Sequence, residues 1–288
     1  MKRFFCITAV LTLLFPLCLG AQQKVSTKKF KIADLNSRTT KVVLTGNDLT
    51  DTSLKQEVSS RWRISPYEFC SAEEYNALKK NPDTYFLLLA RSEEKKYRGI
   101  LTLTLMKGGD PASDDQRKRP VDVASLPVCA SGWPSGREIT FMAAFLDILQ
   151  DYVSRAMESD KVAYKGFDIY SGKARRCAHK NIFFADSDIV PDIGEPLFVR
   201  QHFDGDMVIC DEAQADREFS QGAYNTLVSY TVAPFDPEEG DFCYKMLIDA
   251  GSHELCYWSH HRIGESKWAG FLTKDVKKIS SQRKSAGK

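Results

Sequence analysis

The chain has 288 residues, and its 43% hydrophobic content is ordinary for a globular protein that buries a core. Its 40 lysine and arginine residues nearly balance 38 aspartate and glutamate residues, for a formal net charge of +2. This balance excludes the strongly basic composition typical of nucleic-acid-binding domains.

The N-terminus has the three parts of a secretory signal peptide. Lys2 and Arg3 supply positive charge, an uncharged run follows at residues 4–19, and small residues precede a polar segment. The run is shorter than the roughly 20 residues that span a bilayer as a helix. The sequence therefore predicts a signal peptide over residues 1–21, with an uncleaved anchor as the alternative, and a polar leader over residues 22–29.

The signal indicates where the protein works. Cys18 suggests a lipid anchor as another form of attachment, but Leu17 stands where lipoprotein signals carry a small residue. No segment after the signal is apolar for long enough to cross a membrane. We expect an exported protein that is periplasmic, outer-membrane associated or secreted, with no transmembrane span in the mature chain.

Residues 30–134 are predicted to form a first α/β unit. Strands are expected at residues 41–44, 85–90 and 99–106, with an extended edge segment at 64–69. Helices are expected around residues 54–62 and from the capping box at Ser71 onwards. Residues 107–134 are predicted to form a long loop that contains a short extended piece, because they are rich in glycine, proline and charge.

A long amphipathic helix over residues 135–160 is predicted to connect this unit to a second one over residues 161–280. Strands of the second unit are expected at residues 182–185, 207–209 and 226–232, and a hairpin at 242–249 and 254–260. Helices are expected at residues 211–219 and 267–279. The basic tail at residues 281–288 is interpreted as a solvated end, with contact to anionic lipid or polysaccharide as the alternative.

The two units can be laid over each other at one constant offset. This aligns residues 42–44 with residues 182–184, and Phe69-Cys70 with Ile209-Cys210. A helix and then two strands are predicted to follow each cysteine. The predicted class is a mixed α+β or α/β fold. The sequence leaves open whether it contains tandem β-α-β-α-β-β units with mixed sheets or a chance alignment.

Six cysteines remain after the predicted signal, and an oxidising compartment would allow them to pair. Cys243 and Cys256 flank a turn that is predicted at Ala250-Gly251. A two-residue loop would place both cysteines on the same face of the hairpin. The sequence therefore predicts a disulfide between them.

An apolar strand at residues 182–185 ends in Asp186-Ser187-Asp188. This resembles the nucleophile loop of haloacid-dehalogenase-type phosphohydrolases. The resemblance implies that Asp186 attacks phosphorus and that Asp188 acts as acid and base, with Mg²⁺ offsetting the phosphate charge. The order of the later motifs is reversed, since Lys245 follows Gly240-Asp241 instead of preceding it.

His253, Cys256 and His260 are candidate zinc ligands because they lie close together in the chain. On a strand, however, His253 and Cys256 point to opposite faces, and the spacing matches no closed zinc site. We therefore expect no cofactor, with Mg²⁺ or Zn²⁺ only under these alternative interpretations.

Aromatic residues are frequent in the second half of the chain. Tyr257 and Trp258 fall on opposite faces of one predicted strand, so one of them is a candidate for stacking on a sugar or a peptide. The alternative is burial of both side chains. These two residues are the candidate binding residues.

Residues 67–75 (YEFCSAEEY), 85–89 (YFLLL) and 270–276 (GFLTKDV) resemble uncharacterised exported proteins of Bacteroides-type Gram-negative bacteria. The order of elements is also similar to the small α/β domains of envelope assembly proteins such as the curli-secretion lipoprotein. These resemblances imply no functional residue.

The function expected from the sequence is binding, because no coherent catalytic set is present. We predict an exported, non-catalytic envelope or secreted protein that binds a protein or glycan partner and no nucleic acid. The alternative is a divalent-metal-dependent phosphohydrolase that uses Asp186 and Asp188.

Overall fold

The computed structural model describes residues 31–92, 94–115, 118–132, 134–171 and 177–286. The predicted signal peptide and polar leader lie outside the described residues. Helices accompany two mixed five-stranded sheets, and this architecture confirms the predicted mixed α/β class.

The first sheet has the strand order β2-β1-β3-β4-β5. Its strands are β1 (Thr40–Val43), β2 (Tyr67–Cys70), β3 (Tyr85–Arg91), β4 (Ile100–Lys107) and β5 (Val121–Ala130). β1 runs parallel to β2 and β3, whereas β3, β4 and β5 are antiparallel neighbours. Both faces of the sheet are covered: Leu87 on β3 faces the main core, while Phe86 faces a smaller cluster on the outer side. A strand buried on both faces explains the near-continuous apolar sequence of β3.

The second sheet has the strand order β7-β6-β8-β9-β10. Its strands are β6 (Asn181–Ala185), β7 (Met207–Cys210), β8 (Thr226–Val232), β9 (Phe242–Asp249) and β10 (Leu255–Arg262). β6 runs parallel to β7 and β8, and β8, β9 and β10 are antiparallel. The two sheets therefore share one order and one set of strand directions.

The register of the strands differs from the constant-offset alignment. Val43 pairs with Cys70 in the first sheet, and Ala185 pairs with Cys210 in the second. If the two cysteines are taken as equivalent positions, Val43 is equivalent to Ala185 in the structure. The ungapped alignment instead makes Val43 equivalent to Phe183. A shift of two residues leaves the same side chains on each face, so the apolar pattern could not reveal it.

The helices are α1 (Asp48–Arg61), α2 (Ala72–Leu78), α3 (Arg137–Thr140), α4 (Met142–Glu158), α5 (Asp160–Lys165), α6 (Pro191–Gly194), α7 (Pro196–His202), α8 (Glu212–Ser220) and α9 (Thr273–Ala286). The helices that follow Cys70 and Cys210 start in the same way. Ser71 accepts a hydrogen bond from the amide of Glu74, and Asp211 accepts one from the amide of Gln214. Both are side-chain N-caps.

Helix α4 contributes to a core that both sheets share. Leu146 and Leu149 are fully buried in the same cluster as Leu103 of the first sheet and Val228 of the second. Phe145 at the start of α4 meets the Tyr230 ring edge-on, with ring centroids 5.2 Å apart. The connecting helix predicted from the sequence is therefore the centre of the molecule.

Helix α9 covers the outer face of the second sheet, where Val276 and Ile279 are fully buried. It continues through Ala286, beyond the predicted end of the helix. Arg283 is 6% exposed and binds Asp204 through two nitrogens at 2.9 and 3.1 Å. The prediction of a solvated tail from residue 281 is wrong for this part of the helix, because charge alone does not reveal a buried partner.

Two further predictions need correction. β5 is a ten-residue strand that begins at Val121 and ends at Ala130, so the predicted loop does not extend to residue 134. No disulfide joins the cysteines of the described residues. Cys243 pairs with His261 across the hairpin. Cys256 lies at a register shift, between the residues that pair with Leu247 and Ile248. At about 3.3 Å per residue, this separates the two cysteines by roughly 13 Å or more, too far for a disulfide.

Candidate functional site

A cavity of about 400 Å³ opens where the first sheet, the connecting helices and the second sheet meet. Aromatic rings dominate its walls, and charged side chains stand among them. It is lined by Glu94, Lys96, Tyr97, Asp122, Val123, Ala124, Ser125, Tyr152, Lys165, Gly166, Phe167, Asp168, Phe242, Tyr244, Trp258 and His260. Cavities of this size hold small ligands or single side chains of a partner.

The β9–β10 hairpin supplies one wall. Tyr244 lies directly opposite His260, and Trp258 follows on the same face of β10. Alternation along both strands thus brings these rings together on the face that meets the first half of the chain. The Tyr244 ring centroid lies 5.6 Å from that of Trp258 and 5.8 Å from that of His260.

The opposite wall comes from the first half and the connecting helices. Tyr97 ends a short 3-10 helix at Lys95–Tyr97, and Phe167 lies in another at Gly166–Tyr170. The Tyr97 ring stacks at 5.7 Å on Tyr244, and the Phe167 ring lies 5.5 Å from Trp258. The rings of the two walls therefore form one continuous aromatic surface.

Hydrogen bonds hold the rings in place. The Tyr97 hydroxyl donates to the carbonyl of Ser125 at 3.0 Å, and the Tyr244 hydroxyl donates to that of Lys96 at 2.7 Å. The indole N–H of Trp258 donates to Asp168 Oδ1 at 3.2 Å. Because these polar atoms already have partners inside the protein, the ring surfaces are left to make apolar contacts in the cavity.

Carboxylates surround the cavity. Burial raises the pKa of Tyr97 well above its usual value, and the nearby charges of Glu94, Asp122 and Asp168 raise it further. Burial, followed by the charge of Asp122, raises the pKa of Tyr152 to about 12. These tyrosines therefore stay protonated at neutral pH.

Two lysines also line the cavity. Lys96 forms an ion pair with Glu94 at 2.9 Å, and its ammonium lies 4.7 Å from the centroid of the Tyr97 ring. Lys165, Asp122 and Asp168 are further charged residues of the lining, so the walls carry charged groups of both signs.

The two predicted binding residues have different surroundings. Trp258 lines the cavity, although it is only 4% exposed. Tyr257 points to the other face of the sheet, where its hydroxyl donates to Asp275 Oδ1 at 2.9 Å. The structure thus places one of the two at the candidate site and the other in the core beneath helix α9.

Asp186 and Asp188, the predicted catalytic pair of the alternative function, have different surroundings. Asp188 is 2% exposed and accepts hydrogen bonds from Arg137 at 3.2 Å and from the Ser229 hydroxyl at 2.6 Å. Asp186 is exposed, and its carboxylate accepts from the amide of Ser187. The buried carboxylate therefore anchors helix α3 to the second sheet, since its oxygens are engaged with Arg137 and Ser229.

The candidate zinc ligands also lie apart. His253 hydrogen-bonds Asp147 at 2.7 Å, Cys256 is buried in the outer core beneath helix α9, and His260 lies at the edge of the cavity. No group of three or more metal-binding side chains occurs within the residues that the structure describes.

A second cavity of about 600 Å³ lies beside Trp268, which is 68% exposed. Its walls come from the second half alone and include Pro191, Pro237 and Ile263. The Trp268 groove, as we call this cavity, is larger and mainly apolar. Its lining includes the carboxylates of Glu239 and Glu265, but Trp268 is the one aromatic residue among the described residues that line it.

Most residues of the aromatic cavity were not predicted from the sequence. A usable signal was present in the hairpin, because Phe242, Tyr244, Trp258 and His260 all fall on one face of the two predicted strands. Tyr97, Tyr152 and Phe167 carry no such signal, since they reach the cavity only through the packing of the two halves.

Comparisons with family models, curated proteins and solved structures found no match to the chain. Across the described residues, no helix is long and apolar enough to span a membrane.

Proposed function

We propose that this chain is an exported envelope or secreted protein that binds a protein or glycan partner through the aromatic cavity and performs no catalysis. The pattern of residues 1–21 supports export. The main support for binding is that aromatic rings from both halves of the chain line one cavity and leave room there for a ligand.

The space opens to solvent, so it is a concave site between the two halves and differs from a packing defect inside a core. Here Tyr97, Phe167 and Trp258 are each less than 10% exposed, yet all three line the cavity. Carboxylates at its edge add polar groups that can orient a ligand, as binding sites require.

Site-specific photo-crosslinking tests the proposal. A benzophenone amino acid replaces Lys165, an exposed residue that lines the cavity. The purified protein is irradiated with envelope and culture-supernatant fractions of Bacteroides-type bacteria. We expect a discrete adduct with a protein or a glycan. The matched control carries the same amino acid at Tyr224, which is 95% exposed and lies outside the cavity lining. Equal labelling from the two positions, or none from either, would contradict the proposal.

A further inference from the structure

The outer face of helix α9 carries positive charge and no negative charge. Its charged residues, all exposed, are Lys274, Lys277, Lys278 and Lys284. At about 100° per residue, these side chains leave the helix within an arc of about 120°. The acid of this helix, Asp275, is buried and pairs with Lys245 at 2.6 Å. We call the four exposed lysines the lysine face.

The protein itself does not neutralise the lysine face. The buried ions of the same helix are paired, Asp275 with Lys245 and Arg283 with Asp204. Across the described part of the chain, by contrast, no salt bridge includes any of the four exposed lysines. Their charges exceed the formal net charge of +2 of the whole chain, so the other residues sum to a negative charge. The lysine face is therefore a local positive surface on a chain whose charge is nearly balanced.

Trp268 lies beside the start of this helix and is 68% exposed. It lines a cavity of about 470 Å³ together with Lys267 and Lys274, and Asp192 is the acid in that lining. The Trp268 carbonyl accepts a hydrogen bond from His261 Nε2 at 2.9 Å, so the backbone that presents the ring is held in place. This cavity shares no lining residue with the aromatic cavity.

Helix α7 places a second exposed apolar side chain near the lysine face. The Lys277 ammonium lies 5.8 Å from the centroid of the Phe198 ring. The preceding residue, Leu197, is 57% exposed. Large apolar side chains thus accompany the lysines at two places, at Trp268 and at Leu197. Positive charge together with exposed apolar groups is typical of surfaces that contact a membrane.

We propose that the lysine face, with Trp268 and Leu197 beside it, docks on an anionic membrane surface. The ammonium groups contact lipid phosphates, and the two apolar side chains enter the interfacial region of the bilayer. Each lysine near an anionic bilayer raises the binding constant about fivefold, and tryptophan favours the interface. A soluble polyanion would use the lysines alone, so the exposed apolar groups favour a membrane. The inference concerns a surface separate from the aromatic cavity and does not depend on the function proposed for that cavity.

Co-sedimentation with vesicles tests the proposal. The purified protein is mixed with phosphatidylcholine vesicles that contain about one third phosphatidylglycerol, and with vesicles of phosphatidylcholine alone. We expect binding to the anionic vesicles at low salt, binding at least about tenfold weaker to the neutral ones, and loss of binding in about 0.5 M NaCl. A blue shift of the tryptophan fluorescence that is absent in Trp268→Phe reports entry of the Trp268 ring into the bilayer.

A matched pair of double variants separates the lysine face from total charge. Lys274→Gln/Lys277→Gln should bind the anionic vesicles about 20-fold more weakly. The control, Lys55→Gln/Lys80→Gln, removes the same charge at two exposed lysines of the first half and should bind within about twofold of the wild type. Because none of these lysines forms a salt bridge in the described part of the chain, both variants should keep the wild-type circular dichroism spectrum.

Three results would overturn the proposal. The first is an equal loss of binding in the two double variants, and the second is equal binding to anionic and neutral vesicles. The third is binding to dextran sulfate without binding to vesicles, since the partner would then be an anionic polysaccharide. Binding to the anionic vesicles with no shift of the Trp268 fluorescence would overturn the docking described here and leave an attraction of charge alone.

Discussion

At His261, the two ring nitrogens have different surroundings. Nε2 donates to the carbonyl of Trp268 at 2.9 Å, whereas Nδ1 is buried without a hydrogen-bond partner. Burial and, as the second cause, the positive charge of Lys245 lower the pKa of this imidazole to about 4. The folded protein therefore holds His261 neutral at any pH near 7.

This arrangement predicts a pH-dependent stability. Between pH 6.5 and pH 4 the unfolded chain binds a proton at His261 that the folded chain excludes, so stability falls as pH is lowered. We expect His261 to account for a loss of about 2 kcal/mol in the free energy of unfolding between pH 7 and pH 5. Urea titrations at the two pH values measure this difference.

The His261→Gln variant can still donate to Trp268 but does not titrate, so it should lose this part of the pH dependence. His202→Gln, at a partly exposed histidine, should keep the wild-type slope. If His261→Gln also keeps the full slope, the explanation given for His261 is wrong.

At the scale of elements, the start of helix α8 offers a matched pair of substitutions. Asp211 accepts a hydrogen bond from the Gln214 amide at 2.7 Å and so satisfies a donor at the end of the helix. Asp211→Ala should lower the free energy of unfolding by about 1 kcal/mol, whereas Asp211→Asn should be nearly neutral because asparagine caps equally well. Equal losses in urea titrations of both variants would show that capping is not the role of this side chain.

The last turns of helix α9 provide a sharper contrast. Arg283 is buried, binds Asp204, and donates to the carbonyls of Cys177 and Lys180, while the next residue, Lys284, is exposed. Arg283→Ala leaves Asp204 without its partner and should cost about 3 kcal/mol. Lys284→Ala should change stability by less than about 0.5 kcal/mol.

Chemical denaturation of the two variants measures both effects. Similar small losses would mean that the end of helix α9 is a solvated tail, as the sequence suggested.

At the scale of the whole molecule, a buried cation fastens the connecting helices to the second half. Arg137 in helix α3 binds Asp216 at 2.8 Å, reaches Asp188 at 3.2 Å, and donates to the carbonyl of Ser229 in β8. Together with the shared core around helix α4, these contacts predict that both halves unfold in one cooperative transition. Tryptophan fluorescence and far-ultraviolet circular dichroism should give the same urea midpoint. Two separated transitions would show that the halves are independent units.

The sequence was most informative where a pattern is local. The strand at residues 226–232, the helix at residues 211–219 and the capping box at Ser71 were predicted and are present in the structure. The sequence was least informative where distant segments meet. The register of the Cys243 strand against the Cys256 strand depends on the length of the turn, and the burial of Arg283 depends on Asp204, which lies far away in the chain.

The candidate site likewise depends on contacts between segments that are far apart in the chain. Trp258 could be selected because it lies on a predicted strand, but Tyr97 and Phe167 reach it only when the two halves pack together. A single sequence carries no record of that packing. Shape, rather than any motif, therefore defines the aromatic cavity.

The central claim is that this cavity binds a ligand, and crystals soaked with small fragments test it most directly. The fragments should include amines, saccharides and amides, so that the result does not depend on one ligand class. We predict that bound fragments concentrate in the aromatic cavity, in contact with Tyr97, Phe167 and Trp258. A cavity that holds only water across the whole library, with fragments gathered in the Trp268 groove instead, would contradict the claim.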